Sequence, residues 1–92
     1  MCLTPGTMKN WIHIYDFSIN DQLFIIEAYD KMWKNLDHSR NYCLNPEAVA
    51  FEILKHYGKV TENRWMAKKL SSAQRDKYEK TFIILMNALD KR

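Results

Sequence analysis

Apolar side chains recur every three to four residues from Ile19 to Leu89, broken only by polar clusters and a single glycine. That period fits one face of an α-helix and not the two-residue alternation of a strand. It therefore confines most of the chain to helices that must bury their stripes against one another. With only two glycines and two prolines in 92 residues, helix interiors are rarely interrupted.

The boundaries are marked by capping chemistry. Ser18 or Asn20 opens a first long helix reaching about Leu36, with Ile19, Leu23, Ile25, Ile26, Tyr29, Trp33 and Leu36 on one broad face. Phe24 falls among the polar residues of that helix, so it is covered by the N-terminal segment or touches a partner. After a polar loop, Asn45-Pro46-Glu47 reads as cap, proline in the first turn and early acid, and Gly58 as the stop. This second helix would bury Val49, Ala50, Phe51, Ile53, Leu54 and Tyr57. Thr61 with Glu62 caps a short third helix ending near Leu70. Ser71 or Ser72 caps a fourth helix to about Leu89, with Tyr78, Phe82, Leu85, Met86 and Leu89 buried. Ile83 and Ile84 widen its apolar surface, which places that turn at the centre of the fold or in a dimer interface.

The start of the chain breaks the pattern. Residues 9–17 alternate, with Trp11, His13, Tyr15 and Phe17 on one side, and this predicts an extended aromatic arm. No second strand is evident, so the arm pairs with another chain or packs on the helices. Residues 1–7 read as a disordered leader, with Met8 a second candidate start. Residues 8–92 then form one helical domain. The expected class is all-α: four helices, an extended N-terminal arm and a helix-turn-helix-like C-terminal half.

Charge divides the chain. Residues 1–54 carry a net −3 and residues 55–92 a net +6. The basic half offers Arg64, Trp65, Lys68, Lys69, Ser72, Gln74, Arg75 and Lys77 to nucleic acid or to an acidic partner. Trp65 stacks a base or anchors such a partner, or else packs inward beneath the lysine stems. Trp11, Tyr15, Phe17 and Phe24 form a second candidate set, suited to protein contact.

The order and spacing of residues 50–54, Gly58, 61–70 and 71–85 resemble the three-helix unit of helix-turn-helix DNA-binding domains. The resemblance implies that the start of the last helix, with Ser72, Gln74, Arg75 and Lys77, enters the major groove while Arg64, Lys68 and Lys69 grip phosphates. Charged Asp76 and Lys77 depart from the β-branched core position of that family, and residues 71–72 supply no turn glycine. Residues 64–78 are also locally similar to the second helix and turn of HMG boxes, although the apolar 82–86 segment departs from that family. The layout as a whole, with Lys59-Val60-Thr61-Glu62-Asn63 and the 74–82 region, resembles small phage anti-sigma factors of the AsiA type. These have an apolar first helix for protein contacts and a helix-turn-helix-like second half.

Catalytic signatures are missing: there is no glycine-rich phosphate loop, nucleophile elbow or metal motif. Glu52 and His56 stand four apart on one helix, but a pair alone does not hold a metal. His13 and His38 have no partner pattern. Cys2 and Cys43 form no disulfide framework and are expected reduced. The longest apolar run, residues 82–86, is far too short to span a membrane. Without a signal-like start, a cytoplasmic setting follows. Ten lysines against four arginines suit an AT-rich genome such as many phages have.

The expectation is thus a non-enzymatic protein without cofactor or metal that modulates or inhibits a partner in nucleic-acid machinery, as phage host-takeover and counter-defence proteins do. The alternatives are a dimeric helix-turn-helix DNA binder and a structural subunit of a larger assembly.

Overall fold

The computed structural model describes residues 4–39 and 44–91. Its elements are α1 (Pro5–Trp11), a 3-10 turn (Ile12–Ile14), α2 (Ile19–Lys34), α3 (Pro46–His56), α4 (Arg64–Lys69) and α5 (Ser72–Asp90). No strand occurs among the described residues, and the all-α class stands.

Three of the expected caps are in place. Ser18 Oγ accepts from the Asp21 amide at 3.2 Å, and Asn45 Oδ1 accepts from the Glu47 amide at 2.9 Å. Ser71 forms a capping box with Gln74. Gly58 closes α3 with φ of +74°, a left-handed conformation that costs glycine little. The fourth cap differs. Asn63, not Thr61 with Glu62, starts α4, and its Oδ1 accepts from the Met66 amide at 3.2 Å. Asn63 wins because its Nδ2 also reaches the Ala48 carbonyl of α3 at 3.0 Å, a bond that exposed Thr61 does not make.

The N-terminal segment is helical, neither extended nor a strand, and residues 5–7 belong to α1 rather than to a disordered leader. Thr4 Oγ1 accepts from the Thr7 amide at 3.2 Å, and Pro5 takes the first helical position. Met8 and Ile12, four apart, are fully buried, so the helical period overrides the aromatic alternation. A helix satisfies its own backbone, which a lone strand cannot do. Residues 1–3, including Cys2, and residues 40–43, including Cys43, lie outside the described residues.

α2 packs against α1, α3 and α5, and a buried cluster forms where they meet. It includes Ile25, Tyr29 and Met32 of α2, Val49 and Ile53 of α3, Met66 of α4, and Phe82, Leu85 and Leu89 of α5. The Cα radius of gyration of 12.3 Å is that of a compact chain of this length. Polar ties fix the ends: Asn35 Nδ2 donates to the Ala88 carbonyl at 3.0 Å, and His56 Nε2 lies 2.8 Å from Asp90 Oδ1.

Some apolar residues fall outside the core. Ile19 and Leu23, expected on the buried face of α2, are 66% and 57% exposed, because α2 turns Ile25, Ala28, Tyr29 and Met32 inward instead. Tyr57, one residue past the end of α3, is 45% exposed rather than buried. Ile83 and Ile84 both reach the surface, so that turn is not the centre of the fold.

Candidate functional site

Two grooves collect half of the residues singled out by the sequence. The first, with a cavity volume of about 390 Å³, runs between α4 and the segment joining the 3-10 turn to α2, with α3 beneath. Arg64, Lys68 and Lys69 line it together with Trp65, at positions 64, 65, 68 and 69 that share one side of the short helix. Asp16, Asp21 and Glu47 also line it, as do Phe17 and Phe51, whose rings lie 5.0 Å apart. The groove therefore joins carboxylates, cations and an aromatic floor. Trp65 is half-buried with its ring 5.4 Å from Tyr78, so it packs inward and lines the groove at once.

Phe17, assigned by the sequence to a separate protein-contact surface, thus lies beside Arg64, Lys68 and Lys69. The carboxylates of Asp16, Asp21 and Glu47 went unassigned, although the opposed charges of the two halves already signalled them. Tyr15 packs edge-on to Phe17 with ring centroids 6.4 Å apart. Burial, followed by the nearby charge of Glu47, pushes the Tyr15 phenol above its ordinary ionisation range.

Ser72, Gln74, Arg75 and Lys77 are not part of this groove. They sit on the first two turns of α5, where residues 71–77 are all exposed. The side-chain oxygen of Gln74 is committed to the cap, accepting from the Ser71 amide at 3.2 Å and from its hydroxyl at 3.3 Å. Asp76 pairs with Lys80 at 3.2 Å. What this helix start presents freely is Ser72, Arg75 and Lys77.

The second groove is larger, about 720 Å³, and lies between α1 and α2 with Tyr57 at its end. Phe24 sits in it, packed edge-on against Tyr57 at 5.0 Å and covered by the Lys59 ammonium 4.7 Å from its ring centre. This answers why an aromatic occupies the polar side of α2. Trp11, 44% exposed, lines neither groove.

The Glu52 and His56 side chains go to different partners. Glu52 Oε1 accepts from Asn63 Nδ2 at 3.5 Å, while His56 pairs with Asp90. His38 stacks on Trp33 at 4.5 Å. Among the described residues, no group of three or more His, Cys, Asp or Glu side chains is placed to hold a metal, and no helix is long and apolar enough to cross a membrane.

Comparison with protein-family models, curated proteins and solved structures finds no match for this chain. The functional reading therefore rests on the two grooves and the free start of α5.

Proposed function

We propose that this chain is a small non-enzymatic regulatory protein that binds a protein partner in nucleic-acid machinery and modulates or inhibits it, in the manner of phage host-takeover and counter-defence proteins. The observation that carries the protein-partner reading is the mixed charge of the first groove. Phosphates would meet Arg64, Lys68 and Lys69 but also Asp16, Asp21 and Glu47, and carboxylates repel a continuous phosphate track. A protein side chain set can match both signs, with Phe17, Phe51 and Trp65 supplying aromatic contact.

The test is affinity capture on the full chain, with and without nuclease, beside Lys68→Glu and Asp21→Lys variants. A stoichiometric protein that survives nuclease and is lost from both variants supports the reading. Recovery of nucleic acid alone overturns it.

A second reading, a dimeric helix-turn-helix DNA binder, is favoured by the free start of α5 with Ser72, Arg75 and Lys77 exposed. It requires specific duplex affinity whose logarithm falls with the logarithm of salt by about one unit per phosphate neutralised. Arg75→Glu would abolish that affinity while leaving the protein complex intact.

A further inference from the structure

The groove between α1 and α2 combines an apolar floor with a cationic rim, although most of its lining comes from the half of the sequence whose net charge is negative. Phe24 and Tyr57 make the aromatic part of its lining, and Ala28 and Gly6 keep it open by their small size. Lys9 of α1 and Lys31 and Lys34 of α2 line it, and Lys59 lies over Phe24. Two acids share the lining, Glu27 and Asp30, and Asp30 is already matched by Lys34 at 3.4 Å. Among the described residues, Lys9, Lys31 and Lys59 form no ion pair. They outnumber the one remaining carboxylate, Glu27.

We infer that this groove binds a short acidic peptide segment that inserts one aromatic or aliphatic side chain between α1 and α2. The anchor would lie on Phe24 and Tyr57 while flanking carboxylates meet Lys9, Lys31 and Lys59, an arrangement of apolar centre and charged rim common to peptide recognition. The dimensions agree. The lining runs along α2 from Phe24 to Lys34, about 15 Å of helix axis, which spans about five residues of extended chain. A cavity of about 720 Å³ also falls within the size range of ligand-binding clefts, which leaves room for an anchoring side chain and its neighbours. A nucleic-acid strand fits less well, because its evenly spaced phosphates must pass Glu27, whereas a peptide can place a neutral residue there. This inference goes beyond the proposed function and stands apart from it, since the two grooves share no lining residue.

The test uses the isotope-labelled full chain and a defined probe: an acetylated, amidated peptide with one phenylalanine flanked by aspartates. Amide shifts are expected at Lys9, Phe24, Lys31 and Tyr57. A peptide with alanine for phenylalanine, and one with lysines for the aspartates, should each bind at least about tenfold more weakly. Lys9→Glu combined with Lys31→Glu reverses two exposed charges and should weaken the acidic peptide about tenfold, with the helical circular dichroism unchanged. Gly6→Leu gives an independent block. A Cβ there meets only Thr4 Oγ1 at 3.8 Å, so the branch point is tolerated, and a longer side chain at this lining position would crowd the groove.

Four results would overturn the inference: shifts that map away from α1 and α2, equal binding of the alanine peptide, equal binding of an oligothymidine strand at the same residues, or concentration-dependent shifts there without peptide, which would make the groove a contact between two copies. Loss of the partner through Lys68→Glu reports on the other groove alone, so either reading can fail without the other.

Discussion

Asn63 is the one polar residue buried among those described, and its side chain makes two strong bonds at once, capping α4 through Oδ1 and holding the Ala48 carbonyl of α3 through Nδ2. Asn63→Ala should cost about 2–3 kcal/mol, since it removes a cap and strands a buried acceptor. Urea unfolding checks this as a lower midpoint at unchanged slope. Thr61→Ala, which removes the cap expected from sequence, should stay within about 0.5 kcal/mol of the parent. The local sequence pointed to Thr61 with Glu62, and Asn63 caps instead. The choice was made by a tertiary bond to residue 48, which no local pattern contains. Ser18, Asn45 and Ser71 were legible because their caps are satisfied within their own helices.

A second residue-scale consequence concerns Tyr15, whose ionisation is raised first by burial and then by Glu47. A phenol with a raised folded-state pKa contributes stability that is fully present below its unfolded value near 10 and is lost as pH climbs through the folded value. Stability should therefore decline on the alkaline side of pH 10. Glu47→Gln removes the second cause, so Tyr15 should ionise at lower pH, still above the ordinary value, and the alkaline decline should start at the same pH but end earlier and be smaller in total. Ring-carbon shifts of selectively labelled tyrosine, followed against pH, read this directly.

At the scale of elements, α1 shows where period counting fails. Residues 11, 13, 15 and 17 alternate, yet Met8 and Ile12 bury at helical spacing, and the buried pair decides the conformation. Over so short a stretch both periods fit the sequence. Burial separates them, and burial depends on α2 and α3 being in place. Met8→Ala should cost about 2–5 kcal/mol by opening a cavity under α1. Thermal unfolding of this variant should show a fall of about 8 °C or more if α1 belongs to the cooperative unit. A small fall, with α1 amides exchanging freely, would mean that α1 is only loosely attached.

The chain's two glycines make a sharper contrast. Gly58 sits at φ +74° in open space, so alanine there meets no clash but must adopt a left-handed backbone, costing about 1 kcal/mol. Gly6 has no positive φ and lies in the first turn of α1. Gly6→Ala should therefore stabilise by about 0.5 kcal/mol. The two substitutions should move the melting temperature in opposite directions. The α3 stop was legible because a glycine after a periodic stretch has one common use, whereas Gly6 carried no such signal.

For the whole molecule, the charge asymmetry of the sequence takes on a different meaning once folded. Arg64, Lys68 and Lys69 would repel one another if they formed an isolated basic patch, and neutralising one would then stabilise the fold. Instead they share a groove with Asp16, Asp21 and Glu47, although no pair across it comes within ion-pair distance among the described residues. At such separations the attraction is weak and strongly screened. Lys68→Ala should accordingly destabilise by about 0.5 kcal/mol or less at low ionic strength, and the difference should vanish near 1 M salt, where the Debye length is about 3 Å. The sign is the decisive quantity. A destabilisation that salt removes means that the acidic half holds the basic half in place, so a partner must compete with Asp16, Asp21 and Glu47 for those cations. A stabilisation that salt removes means that the cations are strained against one another and await a polyanion, which would favour the DNA-binding reading. Denaturant curves of the two proteins at low and high salt decide between these without knowledge of the partner.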